Sequence, residues 1–322
     1  MPRGCASQSR AATLRSWQQE KRGELRYAVV RHAERADAAW DDDWACSADA
    51  KAYPFDAPLT PAGVQQAQAS GARLRQLEPP QEGWGVVICS PFFRCVQTSI
   101  EVCKATGASL IIDHDWSEVC FPEMLEAREK QQGLTRPHEF LAEFVAQAGV
   151  NLRNPDAPRG LVWDRKRSEC LQDARVRYAR KFVVCLDRAM LSHTSFIVVS
   201  HGECVPGCLQ LLPEFRGAEV VSTPFCGMVV GRLEQSSARR KRSPLHVEIT
   251  GTPSASDAHA LATLLDGLSV IETNCEIRRL TEALAKPGWG SLPAWMRSRQ
   301  AKLRASFEDD SPRPGAGELG EN

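Results

Sequence analysis

The five residues Arg31-His32-Ala33-Glu34-Arg35 set one imidazole between two guanidinium groups. Such crowding of positive charge is costly unless an anion offsets it, and guanidinium groups match phosphate oxygens with paired hydrogen bonds. The same cations disfavour protonation of the imidazole and leave a neutral, nucleophilic ring. Cys89-Ser90-Pro91-Phe92-Phe93-Arg94 supplies a further arginine near an expected helix start, where unsatisfied N–H groups favour anions. Ser200-His201-Gly202-Glu203 supplies a second histidine. Singly, each segment has an ordinary structural reading: a strand-end histidine beside solvated arginines, an arginine in a first helical turn, a core histidine. Together they describe an oxyanion site with a neutral, nucleophilic imidazole in it.

What must hold these residues is legible from the apolar runs before them. Short β-branched runs at 27–30, 85–88, 110–112 and 196–199 are continuous rather than alternating, as in strands covered on both faces. A helix is expected from Thr60-Pro61, a hydroxyl cap followed by proline, with Val64, Ala67, Gly71 and Leu74 on one buried face. A second should follow Phe92, burying Val96, Ile100 and Cys103, with further helices over about 139–147 and 170–190. Strands alternating with helices predict an α/β fold, a three-layer α/β/α sandwich around a mostly parallel sheet. In such sheets the functional crevice lies beyond the carboxyl ends of the strands, where all three segments fall.

Two more strands are expected, at 227–233 and 246–249. The polar linker between them contains Arg239-Arg240-Lys241-Arg242, which reads either as a solvated hairpin loop or as a nuclear-localisation or anionic-surface patch. Residues 274–284 read as a short amphipathic helix. The expected organisation is a flexible segment over 1–24, one domain over 25–253, and a partly disordered Ser-, Ala-, Gly- and Pro-rich extension over 254–322.

Forty Lys plus Arg balance forty Asp plus Glu in 322 residues, which excludes nucleic-acid binding driven by bulk charge. A hydrophobic share of 43% suffices for a sizeable core, yet the longest apolar runs, such as 182–186 and 196–199, are far too short to span a bilayer. The twelve cysteines are scattered, no apolar leader precedes them, and only Cys204 and Cys208 lie as close as four apart. They read as reduced, buried thiols of a cytoplasmic protein. The first nineteen residues, with Arg3, Arg10 and Arg15 and no acid, read as a solvated tail with a weak likeness to an organelle transit peptide.

Four segments in order, Val30-Arg31-His32-Ala33-Glu34-Arg35, Leu59-Thr60-Pro61-Ala62-Gly63, Ser90-Pro91-Phe92-Phe93-Arg94-Cys95 and Val199-Ser200-His201-Gly202, resemble the histidine phosphatase, or phosphoglycerate mutase-like, superfamily. The form Arg-His-x-Glu-Arg-x-Asp, ending at Asp37, with Tyr53-Pro54 and Leu59-Thr60, is closest to the phosphatase domain of the suppressors of T-cell-receptor signalling. The resemblance implies a phosphomonoester hydrolase without cofactor or metal. His32 would attack phosphorus and become phosphohistidine, while Arg31, Arg35, Arg94 and His201 hold the phosphate. Glu118 would protonate the leaving oxygen, with Glu34 and Glu123 as rivals. A donor must start protonated, with a carboxyl pKa raised by burial beside the apolar neighbours Trp116, Val119 and Phe121 or by the bound dianionic phosphate.

One departure stands out: the family's glycine after the nucleophile is Ala33 here, whose methyl group is expected to crowd the phosphate. Segments 38–52 and 149–168 read as insertions that shape the pocket mouth, and Asp41-Asp42-Asp43 as a solvated loop rather than a metal cage. The expected partner is a phosphorylated small molecule or protein. Two other functions fit the same residues: a catalytically weak scaffold that keeps the pocket, and a phosphoglycerate-type mutase.

Overall fold

The apolar runs become strands in the computed structural model, which describes residues 24–39, 42–80, 82–130, 132–156, 167–215, 218–233 and 264–279. In chain order they are β1 (Leu25–Arg31), β2 (Val86–Cys89), β3 (Ser109–Ile112), β4 (Phe196–Ser200), β5 (Ala218–Ser222), β6 (Met228–Leu233), β7 (Leu268–Thr273) and β8 (Glu276–Arg279). Six form one sheet in the order β3-β2-β4-β1-β6-β7. The first four of these are mutually parallel, β6 runs antiparallel to β1, and β7 antiparallel to β6. β5 and β8 form a separate antiparallel pair.

Register explains why the chemistry converges. Arg31 of β1 pairs with Ser200 of β4, and Cys89 of β2 with Val199. The residues that follow, His32, Ser90 and His201, therefore leave the sheet side by side at its carboxyl end.

The helices are α1 (Asp42–Ala45), α2 (Ala48–Ala52), α3 (Pro61–Gln76), α4 (Phe93–Thr106), α5 (Pro122–Glu129), α6 (His138–Gln147), α7 (Leu171–Ser192) and α8 (Cys204–Leu209). Ala28, Val30, Val87, Cys89, Ile197 and Val199 share one core with Val96, Ile100 and Cys103 of α4. Their strand neighbours Tyr27 and Phe196 meet the ring of Phe182, on α7. Successive strand residues point to opposite faces, so helices cover both sides of the sheet. Phe182 is fully buried, and truncating it to alanine should cost about 3–5 kcal/mol.

Thr60 caps α3, its Oγ1 accepting from Gly63 N at 2.9 Å, and Pro61 fills the first helical position. Gly63 has a specific reason. A Cβ there would run into the carbonyl oxygen of Glu34, so glycine lets α3 press against the histidine-bearing loop.

Two expectations fail beyond residue 253. The helix expected over 274–284 is in part a strand: Glu276–Arg279 pairs with β5, with Val220 opposite Ile277. Backbone partners supplied by β5 override the helical spacing of the apolar residues. The domain also does not stop at 253, because β7 extends the central sheet and Leu264, Leu265 and Leu268 are buried. The expected strand at 246–249, the run Arg239–Arg242 and residues 1–23 lie outside the described residues. Among the described residues no helix is long and apolar enough to cross a membrane.

Candidate active site

His32 follows β1 and is held by backbone bonds on both sides. Its N–H donates to Ser200 O at 2.9 Å, and its carbonyl accepts from Cys226 N at 3.2 Å. The ring Nδ1 lies 2.7 Å from the carbonyl of Ala33, which is an acceptor only. Nδ1 therefore carries the hydrogen, and the lone pair sits on Nε2. Burial first, then the charges of Arg94 and His201, push the ring's pKa well below the usual histidine value, so it is neutral at pH 7.

The loop after His32 is clamped by side chains from two helices. Thr98 Oγ1 accepts from Ala33 N at 3.1 Å and Gln66 Oε1 from Glu34 N at 3.0 Å. Gln97 Oε1 takes Leu59 N at 2.8 Å, where Leu59 bridges to Arg35. Ala33 is buried in a small cluster with Leu59, Ala67 and Cys226. Its methyl group is thus packed into the core with those residues.

Arg94 enters from the first turn of α4 and is fully buried. Its Nε donates toward His32 Nε2 at 3.3 Å, Nη1 to Phe55 O at 2.9 Å, and Nη2 to Glu118 Oε2 at 3.2 Å. Arg31 donates from Nη1 to Thr223 O at 2.5 Å and lies 4.3 Å from the Phe225 ring centroid. Its Nε is buried without a hydrogen-bond partner, so a donor is left over for an incoming oxygen. Arg35 pairs with Asp37 at 2.9 Å. Burial, together with Arg94, weakens the hold of Arg31 and Arg35 on their protons, the mark of crowded cations awaiting an anion.

His201 completes the group, fully buried, with Nε2 at 2.8 Å from Ser90 Oγ and Nδ1 at 3.0 Å from Glu118 Oε2. Burial drives its pKa down to about 4, although Glu118 pulls the other way. The six residues expected at the site are thus gathered at one end of the sheet, and His32 and His201 meet edge to face with ring centroids 5.5 Å apart.

Glu118 sits where expected but not in the expected state. Burial acts to raise its pKa, yet His201 and Arg94 outweigh it and hold the carboxyl well below the usual range. The resting site holds a carboxylate balanced by Arg94 beside a neutral His201. The apolar neighbours misled because Trp116 and Val119 are buried in the core, Phe121 is 41% exposed, and the groups facing the carboxyl come from other segments. The two rival donors have other surroundings. Glu34 accepts from Thr60 Oγ1 at 2.8 Å, tying the loop to the α3 cap, and Glu123 lies exposed in the first turn of α5.

The loop carrying Glu118 has supports that the sequence reading missed. Tyr178 OH donates to Ser117 O at 2.6 Å, Arg177 Nη1 to the same oxygen at 3.0 Å, and Ser200 Oγ to Trp116 O at 2.7 Å. Helical spacing placed Arg177 and Tyr178 on α7 but carried no sign of this long-range pairing.

His32, Glu118 and His201 form the one cluster of metal-type donors among the described residues, their ligand atoms within 4.8 Å of one another. Arg94 contacts all three, so the position a cation would take already holds a buried guanidinium charge. The donor set fits an anion instead.

A comparison with curated proteins finds no match. Among solved structures, the ecdysone phosphate phosphatase from Bombix mori in complex with tungstate aligns at 14% identity over 85% of this chain and 99% of its own, with a TM-score of 0.50. A phosphoglycerate mutase from Bacillus anthracis aligns at 14% identity over 66% of this chain and 90% of its own, with a TM-score of 0.40. A mycobacterial glucosyl-3-phosphoglycerate phosphatase aligns at 16% identity over 66% and 91%, with a TM-score of 0.37. At such identities the likeness concerns the fold, a phosphoglycerate mutase-like α/β sandwich. The model of the histidine phosphatase superfamily (branch 1) matches residues 27–220, more than half of the chain, including Arg31, His32, Arg35, Arg94, Glu118 and His201, and the chain belongs to that superfamily.

Proposed function

We propose that the protein is a metal-independent phosphomonoester hydrolase that works through phosphohistidine on His32. The observation that carries this reading is the neutral, buried Nε2 of His32 with the Arg94 guanidinium 3.3 Å away. An unprotonated nitrogen that a cation helps to keep unprotonated is poised for an electrophile that brings its own negative charge.

The Nε2 lone pair attacks phosphorus, a P–N bond forms, and the P–O bond to the leaving oxygen breaks. Arg31, Arg35, Arg94 and His201 neutralise charge on the remaining phosphoryl oxygens as they reorganise. The leaving oxygen needs a proton, and a resting carboxylate at Glu118 has none. A dianionic phosphate that draws Arg94 toward itself removes that charge from Glu118 and adds negative charge beside it. Both effects raise the carboxyl's proton affinity, so the donor is loaded as substrate binds. After giving its proton, Glu118 accepts one from the water that attacks phosphohistidine. The P–N bond then breaks and inorganic phosphate leaves.

Turnover of a panel of phosphate monoesters in the presence of a chelator tests the reading. Activity should persist in chelator and fall competitively with vanadate, which mimics the transition state in shape and charge. A folded protein that turns over no ester, or one whose activity returns only with added metal, contradicts it.

A further inference from the structure

Arg94 is held by a second charged pair outside the site. Asp56 is fully buried, and its carboxylate accepts from Phe93 N at 2.6 Å, from Arg136 N at 3.0 Å and from Arg136 Nη1 at 2.9 Å. Phe93 opens α4 and Arg94 follows it, while the N-cap residue Phe92 gives that helix no side-chain cap. Asp56 thus caps α4 from a distant loop. The neighbouring carbonyl of Phe55 takes Arg94 Nη1 at 2.9 Å, so residues 55 and 56 grip both the helix start and the guanidinium. Arg136 closes the arrangement. It returns a bond from Nη1 to Asp56 O at 2.6 Å, packs 4.1 Å from the Phe93 ring centroid, and reaches Asp49 with Nη2 at 2.7 and 2.9 Å.

We propose that Asp56 and Arg136 are a positioning pair for Arg94, and that through Asp49 they tie the segment 42–56 to the phosphate grip. The role rests on the phosphatase reading only in assigning an oxyanion to Arg94. A buried ion pair contributes little net stability compared with an apolar pair, so stability alone gives weak reason for placing one here. Fixing a guanidinium within a fraction of an ångström is a stronger reason, since a misplacement of about 1 Å costs roughly 10²-fold in rate. Asp56 and Arg136 touch no reacting atom; each acts through Arg94.

The test is a mutant cycle read by calorimetric vanadate binding and by kcat and KM on p-nitrophenyl phosphate. Asp56→Asn should weaken vanadate binding about tenfold or more and lower kcat by a larger factor than it raises KM. In an Arg94→Lys background, where the guanidinium held by Phe55 is gone, the same change should cause no further loss. Asp56→Asn strands the Arg136 charge, so the pair Asp56→Asn with Arg136→Gln, which removes both charges, serves as the folded control and should show the same pattern. Unchanged vanadate affinity in folded variants, or equal losses in both backgrounds, overturns the positioning role. A wild-type chain that binds vanadate but turns over no ester overturns the phosphatase reading and leaves this one standing. A wild-type chain that binds no vanadate overturns both.

Discussion

The Nε of Arg94 lies 3.3 Å from Nε2 of His32, so the charge that would receive a phosphoryl oxygen also adds to burial in keeping the nucleophile unprotonated. One side chain therefore governs two measurable quantities, rate and pH dependence, and they separate by substitution.

Replacing Arg94 by alanine should lower kcat/KM by about 10²–10³-fold, the usual cost of a lost donor to developing charge. Burial is the larger cause of the low His32 pKa and Arg94 the next, so removing that charge moves the acid limb of the kcat/KM profile to higher pH. Arg94→Lys keeps the charge and should lose rate while leaving the limb in place. An unmoved limb in Arg94→Ala would show that Arg94 does not set the protonation state.

The two histidines also make stability depend on pH. In the unfolded chain each takes up a proton below about pH 6.5, while folded His201 resists until about pH 4 and folded His32 is likewise depressed. The unfolded state then binds more protons across that window, and stability falls as the pH drops through it. By pH 5 the loss from His201 should be roughly 2 kcal/mol, seen as a lower Tm, and His32 adds a loss of the same sign. His201→Gln should flatten the slope. Glu118 acts in a lower range. Its depressed pKa stabilises the fold above the unfolded carboxyl value and loses effect only as pH falls through the folded one.

Ala33→Gly removes a methyl group packed against Leu59, Ala67 and Cys226 and loosens the loop beside His32. Melting should show a loss of about 1 kcal/mol with no gain in kcat. A rise in kcat would mean that the methyl group does obstruct the phosphate.

The site's parts list was readable because apolar runs end just before His32 and His201 and shortly before the helix that carries Arg94, and sheet geometry sends such ends to one crevice. The state of the parts was not. Glu118 is ionised because of Arg94 and His201, residues brought to it by the fold from 24 and 83 positions away in the chain. Asp56 and Arg136 lie 80 residues apart, and neither belongs to a motif. The direction of the Ala33 methyl depended on how close α3 comes, which Gly63 allows but does not announce. Residues 276–279 became a strand because β5 offered an edge, information absent from their own spacing.

Glu118→Gln should slow esters of poor leaving groups, such as alkyl alcohols, by ~10² or more while sparing p-nitrophenyl phosphate, which needs little protonation. Vanadate binding to the wild type should draw about one proton from buffer, because the resting carboxylate is loaded only when an oxyanion arrives. Calorimetry in buffers of different ionisation enthalpy measures that uptake, and Glu118→Gln should abolish it. Equal losses for both ester classes, or no uptake, would leave Glu118 as a holder of Arg94 alone.

The central claim is the covalent intermediate. Rapid mixing with a ³²P-labelled monoester, followed by a denaturing quench within milliseconds, should trap label on the protein that is stable in alkali and lost in acid. Peptide mapping should place it on His32, and His32→Ala should carry none and turn over no ester. Label absent at every quench time during active turnover, or His32→Ala with wild-type activity, would contradict the account.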